Sequence, residues 1–110
     1  MDNYFISARE LNALRRDRGF YRSYYLLDIR DKAEFSSGCI PGAVNIPQDE
    51  LSGHLWEIPS DKRVIVYCKQ GISSKEAANS LRENGYTVVE LHGGYSAWLS
   101  VAMEENISME

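Results

Sequence analysis

The chain has 110 residues, of which 44% are hydrophobic, and a formal net charge of -4 at pH 7. This length suits one compact domain with one core and is too short for two, while the acidic balance and scattered basic residues argue against nucleic acid as a partner. No apolar run approaches the roughly 20 residues of a membrane span, and two cysteines are too few for a disulfide framework, so we expect a cytoplasmic protein with reduced thiols and no membrane contact.

Short apolar runs alternate with helical patterns along the whole chain, and turn signals separate them. This alternation is typical of a parallel sheet flanked by helices. Five strands are predicted, at residues 4–6, 24–29, 43–46, 64–67 and 87–91. The run at 64–67 is the most completely apolar, as expected for a strand that is buried on both faces.

Helices are predicted between these strands and after the last one. Ser7 and Glu10 form a capping box for the first helix, which Gly19 ends, and Asp31 caps a second helix that stops at Gly38. Weaker or shorter patterns predict helices over residues 48–56, around residues 77–81 and over residues 95–101. The domain is expected to fill residues 1–102, and an acidic, frayed tail to follow at 103–110.

Cys68 stands directly after the apolar run at 64–67, where the ligand sites of open parallel sheets usually lie. A short loop containing Gly71 separates it from the next helix, so successive backbone amides can turn towards an anion. A thiolate in that position is stabilised by the same donors, and Lys69 adds positive charge. From strand, loop and helix alone, however, a small buried structural cysteine fits the position as well as a nucleophile does.

Several separated segments together resemble the rhodanese domain family. They are Leu27-Asp-Ile-Arg30, Glu34-Phe35 followed by Gly38-Cys-Ile-Pro-Gly-Ala43, Cys68-Lys-Gln-Gly71, and Gly93-Gly94 ahead of Trp98. No single motif is specific, but their order and spacing span nearly the whole chain.

The resemblance implies a three-layer α/β/α fold with a central five-stranded parallel sheet and a nucleophilic cysteine at Cys68. It also implies sulfurtransferase or sulfur-carrier activity without a cofactor: a small donor such as thiosulfate, or a persulfide-bearing protein, leaves a sulfur on the cysteine, and a thiol or cyanide removes it. By the same resemblance, the substrate-binding residues would be Arg30, Lys69, Gln70, Gly71, Ile72 and Ser73. For Arg30 the residues leave an alternative open, in which it pairs with Asp28 or Glu34 at the strand exit.

Two positions depart from the family pattern. Ser73 stands where family members with this loop length usually carry an arginine, whose planar charged fork a serine cannot replace, so thiosulfate is expected to bind weakly. Cys39 stands where histidine is usual in the Gly-His-Ile-Pro-Gly motif. It is either a packing residue or a second thiol that resolves the Cys68 persulfide, which requires Cα atoms within about 7 Å.

Two other functions compete with sulfur transfer. A cysteine phosphatase or arsenate reductase closes its loop with an arginine, which residues 69–74 lack. A non-catalytic binding module is favoured by the same missing arginine and disfavoured by the retention of Cys68, Lys69 and Gly71. His54 and His92 have no acid or cysteine at metal-ligand spacing, so no metal site is predicted.

Overall fold

The computed structural model describes residues 4–105, which form five parallel strands and five α-helices. The strands are β1 (Phe5–Ile6), β2 (Tyr24–Asp28), β3 (Val44–Asn45), β4 (Arg63–Tyr67) and β5 (Val88–Leu91), in the sheet order β1-β5-β4-β2-β3. The helices are α1 (Ala8–Arg15), α2 (Phe20–Ser23), α3 (Lys32–Ser37), α4 (Ser74–Glu83) and α5 (Gly94–Glu104). The predicted parallel α/β architecture is therefore confirmed.

The local signals that begin the first two predicted helices are confirmed, but α1 ends at Arg15 and not at Gly19, which instead precedes the short helix α2. The Ser7 hydroxyl accepts a bond from the Glu10 amide, and the Glu10 carboxylate accepts one from the Ser7 amide, so the capping box closes at the start of α1. Asp31 caps α3, which ends before Gly38. The single turn α2 was not predicted, because four residues are too few to show a helical period.

The prediction of one helix over residues 48–56 is wrong. The chain forms two 3₁₀ turns instead, Gln48–Gly53 and Leu55–Glu57, which are closed by i to i+3 bonds such as that from the His54 amide to the Leu51 carbonyl. The segment contains Gly53 and is followed closely by a proline, and Trp56 is 80% exposed, so too little apolar surface is buried to stabilise an α-helix.

The central strand β4 shows how the sheet separates two cores. Ile65 and Tyr67 pack on the side of α1 and α5, whereas Val64 and Val66 pack on the side of α4. All four side chains are fully buried, because successive residues of a strand point to opposite faces and both faces are covered. Because helices cover both faces of β4, the chain can next reach solvent only beyond the carboxyl end of the strand, where the following loop begins.

Helix α5 extends to Glu104, two residues beyond the boundary placed at 102. Its end is joined to α1 by ion pairs from Arg9 to Glu104 and Glu105. The rest of the predicted tail, 106–110, lies outside the described residues. Within residues 4–105, no helix combines the length and the apolar character that crossing a membrane requires.

Candidate active site

The loop after β4 carries Cys68 and is shaped by close contact with the start of α5. The amides of Tyr95 and Ser96 donate to the carbonyls of Cys68 and Lys69, at 2.8 and 3.0 Å. These bonds draw the loop carbonyls towards α5 and leave the following amides free to turn towards the sulfur. Gly71 has a φ of 83°, which reverses the chain direction inside the loop.

The predicted Gly93-Gly94 motif is explained by the same contact. Gly94 has a φ of 62°, and a Cβ atom there would lie 2.5 Å from the Cys68 carbonyl oxygen and 2.8 Å from the Gly71 amide nitrogen. A side chain at this position would therefore meet the backbone of the Cys68 loop, which has no flexible end to move aside. The absence of a side chain is what lets α5 begin against the loop.

The Cys68 sulfur sits in a cradle of hydrogen-bond donors. The side chain is 6% exposed, and the Gly71 amide donates to Sγ over 3.1 Å. Burial raises the pKa of this thiol, but the Ser74 hydroxyl and the amides of Ser74, Gly71 and Gln70 outweigh it, so that the pKa is lowered overall. The thiolate is thus favoured by donors that are already in place.

The other predicted loop residues surround this cradle in different ways. Lys69, Gln70, Ile72 and Ser73 are exposed, and Ile72 is 77% exposed at the outer surface of the loop. The Ser73 carbonyl accepts a bond of 3.2 Å from the Gln48 side chain, which ties the loop to the first 3₁₀ turn. Backbone amides within residues 70–74 stabilise the Cys68 sulfur, while the side chains of Lys69, Gln70, Ile72 and Ser73 are exposed to solvent.

Arg30 is buried and faces a different set of groups. Its guanidinium bonds both carboxylate oxygens of Asp28 and the Gly38 carbonyl, and it lies 4.1 Å from the Tyr95 ring centroid. It also lines, with Lys69 and Tyr95, an open cavity of about 370 Å³ between α3 and α5. The pairing with Asp28 that the sequence left open is therefore formed.

Cys39 lies in the turn after α3, close enough to Asp28 and Arg30 for their charges to affect its thiol. Its thiol is free and half-buried, and burial together with the Asp28 carboxylate raises its pKa against the opposing effect of Arg30. His54 makes a surface pair with Glu57. Within residues 4–105, no cluster of three or more His, Cys, Asp or Glu residues is arranged to hold a metal.

Sequence reasoning missed two polar residues beneath the loop. Ser74, the first residue of α4, is fully buried beside the sulfur, and its hydroxyl donates to the buried carboxylate of Glu90 at 3.3 Å. The only signal for Glu90 is a charged residue inside the apolar run at 87–91. Nothing local shows that β5 delivers this residue to the start of α4.

The two thiols are expected to differ in reactivity because their pKa values shift in opposite directions. Since the thiolate is the reactive form, alkylation of Cys68 should persist below the ordinary thiol pKa of about 8.5, and alkylation of Cys39 should require a higher pH. Iodoacetamide rates measured by mass across pH 5–10 for Cys68→Ser and Cys39→Ser test this. Equal midpoints for the two single-thiol proteins would contradict it.

Comparison with known proteins gives a consistent result. The model of the rhodanese-like domain family matches residues 7–101. The chain is 40% identical over 78 residues to the thiosulfate sulfurtransferase GlpE of Shewanella oneidensis, covering 70% of this chain and 77% of that protein. It is 38% identical over 99 residues to the protein YqhL of Bacillus subtilis, covering 87% and 79%.

Several solved structures have the same fold as this chain. A rhodanese-related protein of Thermoplasma volcanium superposes with a TM-score of 0.77 at 29% identity, covering 87% of this chain and 90% of that one. A rhodanese-like domain protein of Staphylococcus aureus gives 0.76 at 28% identity, covering 86% and 89%. The family match spans nearly all of both cores and the whole Cys68 loop, and the chain belongs to the rhodanese-like domain family.

Proposed function

We propose that the protein is a sulfurtransferase or sulfur carrier that forms a persulfide on Cys68. The observation that carries this proposal is the donor cradle, which stabilises a thiolate on a buried sulfur at the carboxyl end of the sheet. Relatives named as sulfurtransferases at 40% identity support the same chemistry. A purely structural cysteine would not need backbone amide donors directed at its sulfur.

The first step is attack of the Cys68 thiolate on the outer sulfur of a donor. With thiosulfate, the bond between its two sulfurs breaks, sulfite leaves with the electron pair, and a new bond joins that outer sulfur to Sγ. The donors that stabilised the thiolate then surround the persulfide. Because these amides belong to the backbone of Gln70 to Ser74, they are in position before the donor arrives.

The second step returns the enzyme to its starting state. A thiolate or cyanide attacks the terminal sulfur of the persulfide, and Cys68 leaves as a thiolate. The lowered pKa of Cys68 favours this departure, because a thiol of lower pKa is a better leaving group. With cyanide the product is thiocyanate, and with a thiol it is a new persulfide.

The donor is expected to be a persulfide-bearing protein rather than thiosulfate. Lys69 is the only basic side chain in the loop, and Ser73 offers no guanidinium fork for a sulfonate group. The exposed side chain of Ile72 gives a protein partner an apolar contact beside the sulfur. Two free thiols suit a reducing compartment, so we place the protein in the cytoplasm.

Intact mass after brief incubation with a sulfur donor tests the proposal. The donors are thiosulfate and a cysteine desulfurase supplied with cysteine, and the proteins are wild type, Cys68→Ser and Cys39→Ser. We expect one added sulfur that cyanide removes, formed in wild type and Cys39→Ser and absent from Cys68→Ser, with the protein donor loading faster than thiosulfate.

The controls separate the competing functions. If neither donor loads Cys68, while Cys39→Ser and wild type remain folded, the sulfurtransferase proposal is wrong and a non-catalytic binding module takes its place. If sulfur is found on Cys39 instead, the nucleophile has been assigned to the wrong thiol.

A further inference from the structure

Glu90 is a buried carboxylate in the middle of β5. It is 4% exposed, and it lies on the face of the sheet that α4 covers. Within residues 4–105, no basic side chain forms an ion pair with it. A buried carboxylate without a cation destabilises a fold, so packing alone does not account for this residue.

The one side-chain partner described for Glu90 is the Ser74 hydroxyl, at 3.3 Å. In the structure the hydroxyl donates to Glu90, and it also counts among the groups that lower the pKa of the neighbouring Cys68 thiol. A serine hydroxyl has a single proton, so it donates either to the carboxylate or to the sulfur. The bond from Ser74 to Glu90 and the bond from Ser74 to Cys68 are therefore alternatives. The Ser74 hydroxyl lies between the carboxylate and the sulfur and can donate to only one of them at a time.

We propose that Glu90 is a positioning residue that competes with the Cys68 sulfur for the Ser74 proton and thereby limits the reactivity of the nucleophile. When the hydroxyl donates to Glu90, its oxygen lone pairs face the sulfur and favour the protonated thiol. When Ser74 turns to the sulfur, its lone pairs face the carboxylate. Glu90 thus opposes the thiolate that the loop amides support, an inference that rests on the proposed role of Cys68 as nucleophile.

The position of Glu90 distinguishes it from the other charged groups at this end of the sheet. The buried Asp28 and Arg30 side chains are paired with each other. The remaining charged groups are all exposed; they are Lys69 in the loop, Lys75 and Glu76 in the first turn of α4, and His92 after β5. Water and salt screen their effect on the sulfur. Glu90 acts from the buried side and through a hydrogen bond, so its influence is screened least.

The test is the pH dependence of iodoacetamide alkylation in a Cys39→Ser background, which reports on the thiol without any sulfur donor. Glu90→Gln removes the charge and donates to Ser74, and we expect it to raise the ionisation constant of the Cys68 thiol about tenfold. Because thiolate nucleophilicity falls as the pKa falls, alkylation should become about threefold faster at pH 6 and about threefold slower at pH 10. The two profiles should therefore cross.

A crossing distinguishes this role from a structural one, because loss of loop structure would remove the amide donors and move the midpoint to higher pH. Glu90→Met, which fills a similar volume without charge, should shift the midpoint in the same direction. If Glu90→Gln does not fold, Glu90→Met decides the question. A midpoint that stays in place or rises in the folded variant would overturn the proposal.

Two matched controls complete the design. Glu76→Gln removes an exposed carboxylate from the first turn of α4 and should leave the midpoint unchanged. In a Ser74→Ala background the effect of Glu90→Gln should largely disappear, because the shared proton is gone; a full shift there would show that Glu90 does not act through Ser74. Persulfide formation fails or succeeds independently of these rates, so the two proposals can be judged separately.

Discussion

Replacing Asp28 by alanine is expected to lower the free energy of unfolding by about 3–5 kcal/mol. The Asp28 side chain is fully buried and receives bonds from the Arg30 backbone amide and guanidinium. Its removal leaves a buried guanidinium whose remaining described bond goes to the Gly38 carbonyl. Urea unfolding followed by the fluorescence of the buried Trp98 measures the effect.

A double-mutant cycle separates the lost pair from lost packing. In an Arg30→Met background the alanine substitution should have a much smaller effect, because no unpaired charge remains. Arg9→Met, which removes an exposed pair with Glu104, should change stability little. An equal effect of Asp28→Ala with and without Arg30 would show that the ion pair is not what the fold depends on.

Gly94→Ala is expected to lower the free energy of unfolding and to raise the pKa of the Cys68 thiol. Left-handed backbone destabilises a side-chain-bearing residue by about 1–2 kcal/mol, and the overlap with the Cys68 loop adds about 1–3 kcal/mol, giving about 2–5 kcal/mol in all. In the fraction that remains folded, the loop must move away from α5. The amides then support the sulfur less well, and the alkylation midpoint of Cys68 should move to higher pH.

Gly85→Ala is the matched control for this substitution. Gly85 has a φ of 89°, but a Cβ atom there would meet nothing within 4 Å. It should therefore show the backbone effect alone, about 1–2 kcal/mol, with an unchanged Cys68 profile. If both variants lose the same stability and neither moves the profile, the contact between Gly94 and the Cys68 loop does not shape the site.

The two predictions concern the two supports of the same site. The Asp28–Arg30 pair joins the end of β2 to the turn after α3, through the Gly38 carbonyl. The glycine at the start of α5 holds the Cys68 loop from the other side. Both supports are contacts within the folded chain, so the cradle around the sulfur is set largely before any substrate binds.

The order and type of the elements were predictable because their signals are local. The alternation of buried strands with capped helices predicted the parallel sheet, and the capping box of Ser7 and Glu10 placed the start of α1. The 3₁₀ turns over residues 48–57 were missed because only burial, not periodicity, distinguishes them from a short helix. Trp56, at the end of the segment that was predicted to be a helix, is exposed.

The amino-acid sequence by itself determined the fold class, the family and the position of Cys68 at the end of a buried strand. Each of these depends on local signals, namely strand periodicity, helix caps and glycine turns, which involve only a few neighbouring residues. Only the tertiary structure decided which groups meet. It paired Arg30 with Asp28 and Gly38, brought Gly94 against the loop, and placed Glu90 of β5 beside Ser74 of α4. Such contacts depend on the packing of elements that are distant in the chain, which no local pattern encodes.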